Sequence, residues 1–498
     1  MTDTATIKPN DAEMKKSRAM SGRRSDGPAG SSSRRLPHHY NANPQGNPHN
    51  HPNLHRIYTG IQPAGESGRS GINAQMFFKI CWRSTSRASR ICNIFWPVVP
   101  AAIAVGHLRP DLGLVVFILN YIAMIPCANL IGFAGQELAR KLHKVFGVLL
   151  ETTLGSVVEI VLFMVLLKTD QFAVIQAAIL GSVLATQLLC LGMCFVVGGL
   201  RHNELNFSEV VGEVGSDLLL TAGFGLIVPA AFHTAVSNDG RTSPEEVSDK
   251  VLHISRISSI LLIIAYVVYT YFQIRTHESI YDAIFEEDEH MPDHHEDGTK
   301  KKLTFTECIL ALTVAITLVS LIAIALVEKI EFIVHTRGIS DSFIGLILVP
   351  LVEKFSEHLG AIDEAWDNQM NMALAHVLGA TIQTSLFNGP LVVLVGWALD
   401  KRMDLNFDLF NIIVLILGIL VVGNFLRDQK SNYLEGSLCV IVYVNIAIAA
   451  YFYPNPLPQG HSGYLGGAAF DSNSQTVLEQ AAKPLVHPVD DEMEKTER

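Results

Sequence analysis

Long apolar runs recur along the chain between about residue 92 and residue 453, and short polar segments separate them. A transmembrane helix needs about 20 mostly apolar residues to cross the hydrocarbon core, so each run predicts one membrane span. The pattern predicts an all-α polytopic membrane protein with about eleven transmembrane helices. The predicted spans are 92–107, 111–133, 144–167, 172–199, 210–233, 253–274, 305–328, 339–362, 370–398, 408–427 and 434–453.

The apolar runs that contain Glu159 and Glu357 belong to an internal repeat. Each glutamate is followed 22 positions later by a glycine in a similar context, Gly181 and Gly379. One copy in each set of five spans predicts a leading helix plus two five-helix repeats. An odd number of spans per copy places the two copies in opposite orientations. Inverted repeats are typical of secondary transporters, whose substrate site lies near the bilayer midplane where the repeats meet.

Composition supports a membrane protein. Hydrophobic residues make up 49% and charged residues only 17%, whereas soluble domains average about 25% charged residues. Seven scattered cysteines predict neither a disulfide framework nor a cysteine metal site. The sequence has no HExxH, GxSxG or P-loop motif, so it does not indicate an enzyme. We expect no cofactor and no nucleic-acid partner.

Charge divides the chain into segments. Residues 1–90 carry 14 Lys and Arg against 5 Asp and Glu and few apolar residues, which predicts a disordered basic tail on the cytosolic side. The segment 286–297 contains seven acids and three histidines; it is a solvated loop or a regulatory calcium or zinc site. The predicted segments are the tail 1–90, the leading helix and first repeat 91–275, an acidic cytosolic loop 276–304, the second repeat 305–453 and a disordered acidic C-terminal tail 454–498.

Glu159 and Glu357 are the candidates for ion binding. A carboxylate within a membrane span costs about 2.5–3.5 kcal/mol on insertion scales, so it is normally paired, protonated or water-facing. Carboxylate oxygens suit a hard cation, and the same group can hold a proton when the cation is absent. We therefore predict that both glutamates bind cation and proton in turn. Polar side chains nearby either add neutral oxygen ligands or make interhelical hydrogen bonds; they are Gln383, Ser182, Thr381 and Gln176.

Between about residues 91 and 455 the sequence resembles the calcium/cation–proton exchanger family. The resemblance is carried by LGSVVEIV, VIQAAILGSVLATQLLCLGM, GLILVPLVEKFSEHLGAI and LGATIQTSLF, among other stretches. The signature glutamates of that family match Glu159 and Glu357, and the histidine after the second matches His358. The resemblance implies a vacuolar antiporter that exchanges cytosolic cations for protons by alternating access.

The chain departs from the family pattern close to these glutamates. Glu353 and Lys354 replace the second Gly-Asn of the family, and Glu151 stands where an upstream asparagine is expected. The motif resembles that of fungal vacuolar sodium/potassium–proton exchangers. A fixed positive charge penalises a divalent ion about twice as much as a monovalent one. We therefore predict that the residues that modify selectivity are Glu353, Lys354, Glu151 and His358.

Several interpretations remain open from the sequence. The transported cation is calcium, or sodium or potassium, and the membrane is that of the vacuole or of another endomembrane compartment. A transport-inactive sensor or scaffold is the alternative function, and a cation channel is a weaker one because channels usually repeat a filter by oligomer symmetry. The partners expected are inorganic cations, protons and the lipid bilayer, and a homo-oligomer is left open.

Overall fold

The computed structural model describes residues 67–454, except positions 70, 85, 143–149, 152, 203, 238–241 and 278–300. The predicted features in 1–66, in the acidic segment 286–297 and in 455–498 lie outside the described residues.

Helices form nearly all of the described structure. Nine of the described helices are long and apolar enough to cross a membrane, which confirms the all-α polytopic class but not the count of eleven. The other two predicted spans, 144–167 and 339–362, are helical in their described parts, but each is interrupted near its middle. The helices are α1 (Ala74–Arg83), α2 (Ser89–Leu108), α3 (Gly113–Ala139), α4 (Val157–Lys168), α5 (Phe172–His202), α6 (Glu209–Ser237), α7 (Pro244–Thr276), α8 (Phe305–Arg337), α9 (Val349–Glu353), α10 (Phe355–Trp366), α11 (Met370–Ala398), α12 (Leu409–Leu426) and α13 (Tyr433–Tyr451).

The two interruptions fall at equivalent positions of the predicted repeat. Ser156 breaks the helix before α4, and Lys354, 198 positions later, separates α9 from α10. After each break, the next helix begins with an equivalent backbone hydrogen bond. The Ile160 amide donates to the Ser156 carbonyl and the His358 amide to the Lys354 carbonyl, both at 2.9 Å. Each break therefore places a glutamate in the first turn of a new helix.

The ends of α4 and α10 are also equivalent. Asp170 and Asn368 both adopt the left-handed backbone region, with φ of 59° and 63°, which short polar side chains tolerate better than most. The next residue closes the turn in both copies, because Gln171 donates to the Leu166 carbonyl at 3.0 Å and Gln369 to the Glu364 carbonyl at 2.9 Å. The repeat detected from two glutamates thus extends to the backbone of the helix ends.

Two glycines allow α5 to pack closely against the π-helical turn Ile344–Leu348 that precedes α9. A Cβ on Gly181 would lie 2.2 Å from the Leu346 carbonyl oxygen, and one on Gly345 would lie 2.6 Å from the Ala177 Cβ. Such close approach requires residues without a side chain. The contact joins the two halves of the molecule next to the break at Lys354.

The structure shortens the predicted disordered tail. Helix α1 begins after Asn73, whose side chain accepts from the Met76 amide as an N-cap. Before it, Arg69 forms an ion pair with the buried Glu307 at 3.1 Å, and the Asn73 amide also donates to Glu307. The residues from 67 onwards are therefore attached to the start of α8, which the composition of the tail did not predict.

Short contacts join the helix ends at the side of the bundle where α10 finishes. The strand β1 (Leu205–Asn206) pairs antiparallel with β2 (Lys430–Ser431). Arg201, at the end of α5, donates to the Trp366 carbonyl at 2.7 Å. These contacts hold together the ends of α5, α10 and α12, and we call this side the α10 end.

Candidate ion-binding site

Glu159 lies at the centre of the candidate site and is almost fully buried, with 1% of its side chain exposed. Its carboxylate accepts hydrogen bonds from side chains of the other repeat. Thr384 Oγ1 lies 3.0 Å from both Oε1 and Oε2, and Asn388 Nδ2 donates to Oε2 at 2.8 Å. These hydrogen bonds fix the position of the Glu159 carboxylate against the other repeat.

The two donors come from a π-helical turn in α11, Thr384–Asn388. Helix α5 has a π-helical turn at the equivalent place, Ala185–Cys190. Single π-helical turns within α-helices occur frequently at functional sites, because the wider turn redirects side chains and frees backbone carbonyls. In α11 this turn directs both Thr384 and Asn388 towards Glu159.

Lys354 completes the environment of Glu159. Its Nζ atom lies 2.9 Å from Glu159 Oε2 and 3.4 Å from Glu357 Oε2, and only 3% of its side chain is exposed. The ammonium group thus stands between the two glutamates that the sequence predicts to bind ions. It occupies the position that a cation bridging them would take.

Glu357 differs from Glu159 in its exposure. Its side chain is 30% exposed, although it lies deep among the helices. This exposure therefore opens into a cleft within the bundle. Next to it His358 is buried, with its Nε2 atom 3.3 Å from Thr186 Oγ1. Solvent can reach Glu357 in this conformation, whereas Glu159 and Lys354 are occluded.

Glu353 is buried beside Glu159 and Lys354, and its carboxylate differs from theirs in its lack of hydrogen-bond donors. Neither of its oxygens has a donor at hydrogen-bond distance among the described residues, and the same holds for the Ser182 hydroxyl. The Ser182 hydroxyl interacts with the Glu353 carboxylate from beyond hydrogen-bond distance, across the boundary between the repeats. A buried polar group without a partner is costly, so these oxygens are available to a further ion or proton.

The remaining predicted site residues fall at different distances from this centre. Gln383 Nε2 donates to Ser156 Oγ at 2.8 Å, which brings it to the break before α4. Thr381 donates to the Val377 carbonyl of its own helix. Glu151 lies on the helical segment before the break, where it is half-buried.

Gln176 does not contact Glu159 through its amide nitrogen. That nitrogen donates instead to Asp404 Oδ1 at 2.7 Å, in the segment between α11 and α12. Burial raises the pKa of Asp404 above its ordinary value, and the bonds from the Asn406 amide and from Gln176 partly offset this. Gln176 thus stabilises a connecting segment in this structure.

Sequence reasoning did not select Asn388 as a site residue and gave Thr384 no specific role. The repeat contained a signal for Thr384, which stands 198 positions after Thr186, but none for Asn388, whose equivalent is Cys190. What it could not show was the π-helical turn that directs the two side chains to Glu159.

The site combines three carboxyl groups with one ammonium group, from both halves of the chain. In the described part of the chain, no group of three or more His, Cys, Asp or Glu side chains is arranged to hold a metal ion. A helical membrane bundle with charged side chains at two equivalent helix breaks is typical of a protein that translocates ions through its interior.

Comparison with known proteins identifies the family. The model of the sodium/calcium exchanger protein family matches residues 112–275 and 308–452, and the chain belongs to this family. A relative named vacuolar cation/proton exchanger 5, from Arabidopsis thaliana, is 33% identical over 366 residues, which cover 73% of this chain and 81% of that protein. A vacuolar calcium ion transporter from Schizosaccharomyces pombe is 30% identical over 340 residues, which cover 68% and 79%.

Solved structures agree with this assignment. The structure of native YfkE is 26% identical, with a TM-score of 0.59 over 72% of this chain and all of the other. A selenium-substituted form, described as a Ca2+/H+ antiporter protein, gives a TM-score of 0.57. The resemblance to the exchanger family found in the sequence is therefore confirmed.

Proposed function

We propose that this protein is a secondary antiporter that moves cytosolic cations into an acidic compartment in exchange for protons. Family membership supports the class of activity, and the names of the relatives point to the vacuole. Its partners in this proposal are inorganic cations, protons and the bilayer. We propose no enzymatic step and no cofactor.

The exchange uses Glu159 and Glu357 as the groups that bind cation and proton in turn. Glu357 is the group that solvent reaches, and Glu159 is the occluded one. A cation that enters the cleft meets Glu357 first and then passes to the position between the two glutamates. When the two halves of the molecule rearrange, the same groups face the other side and take up protons. On the predicted orientation, the cleft faces the cytosol.

The observation that carries the choice of substrate is the position of Lys354 Nζ, 2.9 Å from Glu159 and 3.4 Å from Glu357. A transported cation has to displace this ammonium group or bind beside it. Coulomb repulsion from the ammonium is twice as large for a divalent as for a monovalent ion. We therefore propose sodium or potassium as the preferred substrate, with calcium as the alternative that the names of the relatives support.

A transport-inactive sensor is the second candidate, and one observation favours it. Protein donors make four contacts with the Glu159 carboxylate, namely two from Thr384, one from Asn388 and one from Lys354. If Lys354 neither leaves nor admits an ion beside it, no ion passes. This candidate and the antiporter differ in whether the purified protein exchanges ions.

The test uses purified protein in sealed vesicles with an acidic interior and a pH-sensitive dye. Sodium, potassium or calcium is then added outside. We expect sodium or potassium to dissipate the pH gradient, with no effect of these ions on vesicles that contain Glu159→Gln. Glu328→Gln removes an exposed carboxylate far from the site in sequence, and it should behave like the unsubstituted protein. Retention of exchange by Glu159→Gln would refute the mechanism, and absence of exchange with every ion in folded protein would favour the sensor.

A further inference from the structure

Helix α1 is held at one end of the bundle, beside the start of α8. The Asn73 amide at its beginning donates to Glu307, and Arg83 at its end donates to the Lys301 carbonyl at 2.7 Å. Its ten residues are about 15 Å long, about half the thickness of the hydrocarbon core. Because both ends of α1 contact the residues where α8 begins, α1 lies at the end of this span and does not cross the membrane.

One face of α1 packs against the bundle, and the other exposes aromatic side chains. Ile80 is buried and Phe77 is half-buried. Phe78 and Trp82 are one helical turn apart, and they are 70% and 53% exposed. Transfer of such apolar surface out of water is favourable, and tryptophan is enriched where a membrane meets water. The exposed face of α1 therefore fits the interfacial region of a bilayer.

The segments around this face carry positive charges and no negative ones. Residues 67–97 and 301–306 contain no Asp or Glu. Their lysines and arginines are Arg69, Lys79, Arg83, Arg87, Arg90, Lys301 and Lys302.

Two of these cations, Lys79 and Arg90, have exposed side chains next to the aromatic face. Lys79 precedes Trp82 by one helical turn. Arg90 lies at the start of α2, where Asn93 donates to the Trp82 carbonyl at 3.0 Å. The nearest acid in the sequence of α8, Glu307, is buried and paired with Arg69. An anion that approaches the aromatic face thus meets cations on both sides of Trp82.

We propose that α1 is an interfacial helix that binds anionic phospholipid at the membrane surface. Phe78 and Trp82 enter the boundary between headgroups and acyl chains, and Lys79 and Arg90 attract the negatively charged headgroups. On the predicted orientation of the chain, this surface faces the cytosolic leaflet, which is the leaflet rich in anionic lipids. Lipid binding by α1 does not depend on which ion the protein moves, or on whether it moves one.

The combination of rings and charges favours a lipid over another part of the chain. The acidic segment 286–297 shortly precedes Lys301 in the sequence and carries the charge to neutralise the same cations. Apart from Met291 and Pro292, its residues are acids and histidines, so it offers little apolar surface to Phe78 and Trp82. A phospholipid supplies both the negative headgroup and the acyl chains. It therefore matches the whole exposed face.

The experiment measures Trp82 fluorescence in bilayers of equal parts phosphatidylcholine and phosphatidylserine. Bromine on the acyl chains of one lipid or the other quenches a tryptophan that it contacts, and the two preparations differ only in which lipid carries it. The Trp82 signal is the difference between the full-length protein and Trp82→Phe, which keeps the other three of the four tryptophans. We expect brominated phosphatidylserine to quench this signal at least about twofold more than brominated phosphatidylcholine.

The variant Lys79→Gln with Arg90→Gln tests whether the cations cause the preference. We expect both brominated lipids to quench its Trp82 signal equally, because the rings stay in the bilayer while the attraction for anionic headgroups is lost. The matched control is Lys329→Gln with Arg337→Gln, which removes two cations at the other end of α8. It should keep the preference of the unsubstituted protein.

Equal quenching of the unsubstituted protein by the two lipids would refute the proposal, and so would a preference that survives in the variant of Lys79 and Arg90. Absence of quenching by either lipid would also refute it, since another protein surface, such as a second copy of the chain, would then cover Trp82.

A further variant tests the acidic segment as the competing occupant; it carries Glu286→Gln, Glu287→Gln, Asp288→Asn and Glu289→Gln. We expect it to keep the preference of the unsubstituted protein. If a preference for phosphatidylserine appears only in this variant, the acidic segment occupies the cations and the proposal is wrong. A failure of the proposed antiport is seen in the flux assay and leaves these quenching results unchanged.

Discussion

Ser156 and Lys354 occupy the same helix break in the two halves of the chain. Their carbonyl oxygens accept equivalent hydrogen bonds at 2.9 Å, from Ile160 and from His358. The backbone is therefore the same at both positions, and the side chains differ. Ser156 offers a neutral hydroxyl that accepts from Gln383, whereas Lys354 brings a charge to Glu159 and Glu357. This pair of residues is one source of the asymmetry of the site.

Replacing Lys354 by asparagine should change ion selectivity. The variant Lys354→Asn removes the fixed charge but keeps a polar side chain at the break. Because the repulsion removed is twice as large for a divalent ion, we expect transport to shift towards calcium relative to sodium by at least about tenfold, or about 1.4 kcal/mol. Vesicle flux with each ion measures the ratio, with Lys329→Asn as a control. An unchanged ratio would show that Lys354 does not select the ion.

Lys354→Asn should also make the unfolding temperature of the protein depend on the cation concentration. Removing one partner of a buried ion pair typically costs about 3–5 kcal/mol, since the other charge is left without compensation. A bound cation can replace the ammonium, and at a concentration of 100 times its Kd it stabilises by about 2.7 kcal/mol. We expect the unfolding temperature of Lys354→Asn in detergent to be low without added cations and to rise with their concentration.

The double variant Glu159→Gln with Lys354→Asn is the control for that measurement. It removes both members of the 2.9 Å pair, so less charge remains unpaired, and its unfolding temperature should respond less to cations. An equal response of the single and double variants would place the stabilising cation somewhere other than Glu159.

Sequence reasoning predicted the fold class correctly and selected the two glutamates as candidates, because both depend on patterns that recur along the chain. Apolar runs identify spans, and an acid within such a run is costly enough to be informative. The partners of Glu159 were harder to find. Thr384 and Asn388 reach it through a π-helical turn, and no regular helical spacing predicts such a turn.

Gln176 illustrates the limit of selecting residues by type. As a polar residue in an apolar run it qualified as a ligand, but its amide nitrogen donates to Asp404 at 2.7 Å. We therefore expect Gln176→Leu to leave the KM for the cation within about twofold of its original value. The free energy of unfolding should instead fall by about 1–3 kcal/mol, because the buried Asp404 carboxyl group loses a hydrogen-bond donor. Parallel flux and thermal unfolding measurements separate these outcomes, and a large rise in KM alone would restore Gln176 to the site.

The two glycines of the repeat provide a matched test of the packing between the halves. A Cβ on Gly181 would lie 2.2 Å from the Leu346 carbonyl oxygen, whereas one on Gly379 would meet nothing within 4 Å. Within a helix, the replacement of glycine by alanine by itself stabilises the protein by up to about 1 kcal/mol. Overpacking against backbone typically costs about 1–3 kcal/mol or more. We therefore expect Gly181→Ala to lower the unfolding temperature in detergent and Gly379→Ala to keep or raise it. The two substitutions are chemically identical and stand at equivalent positions, so equal effects would mean that α5 does not pack closely against Ile344–Leu348.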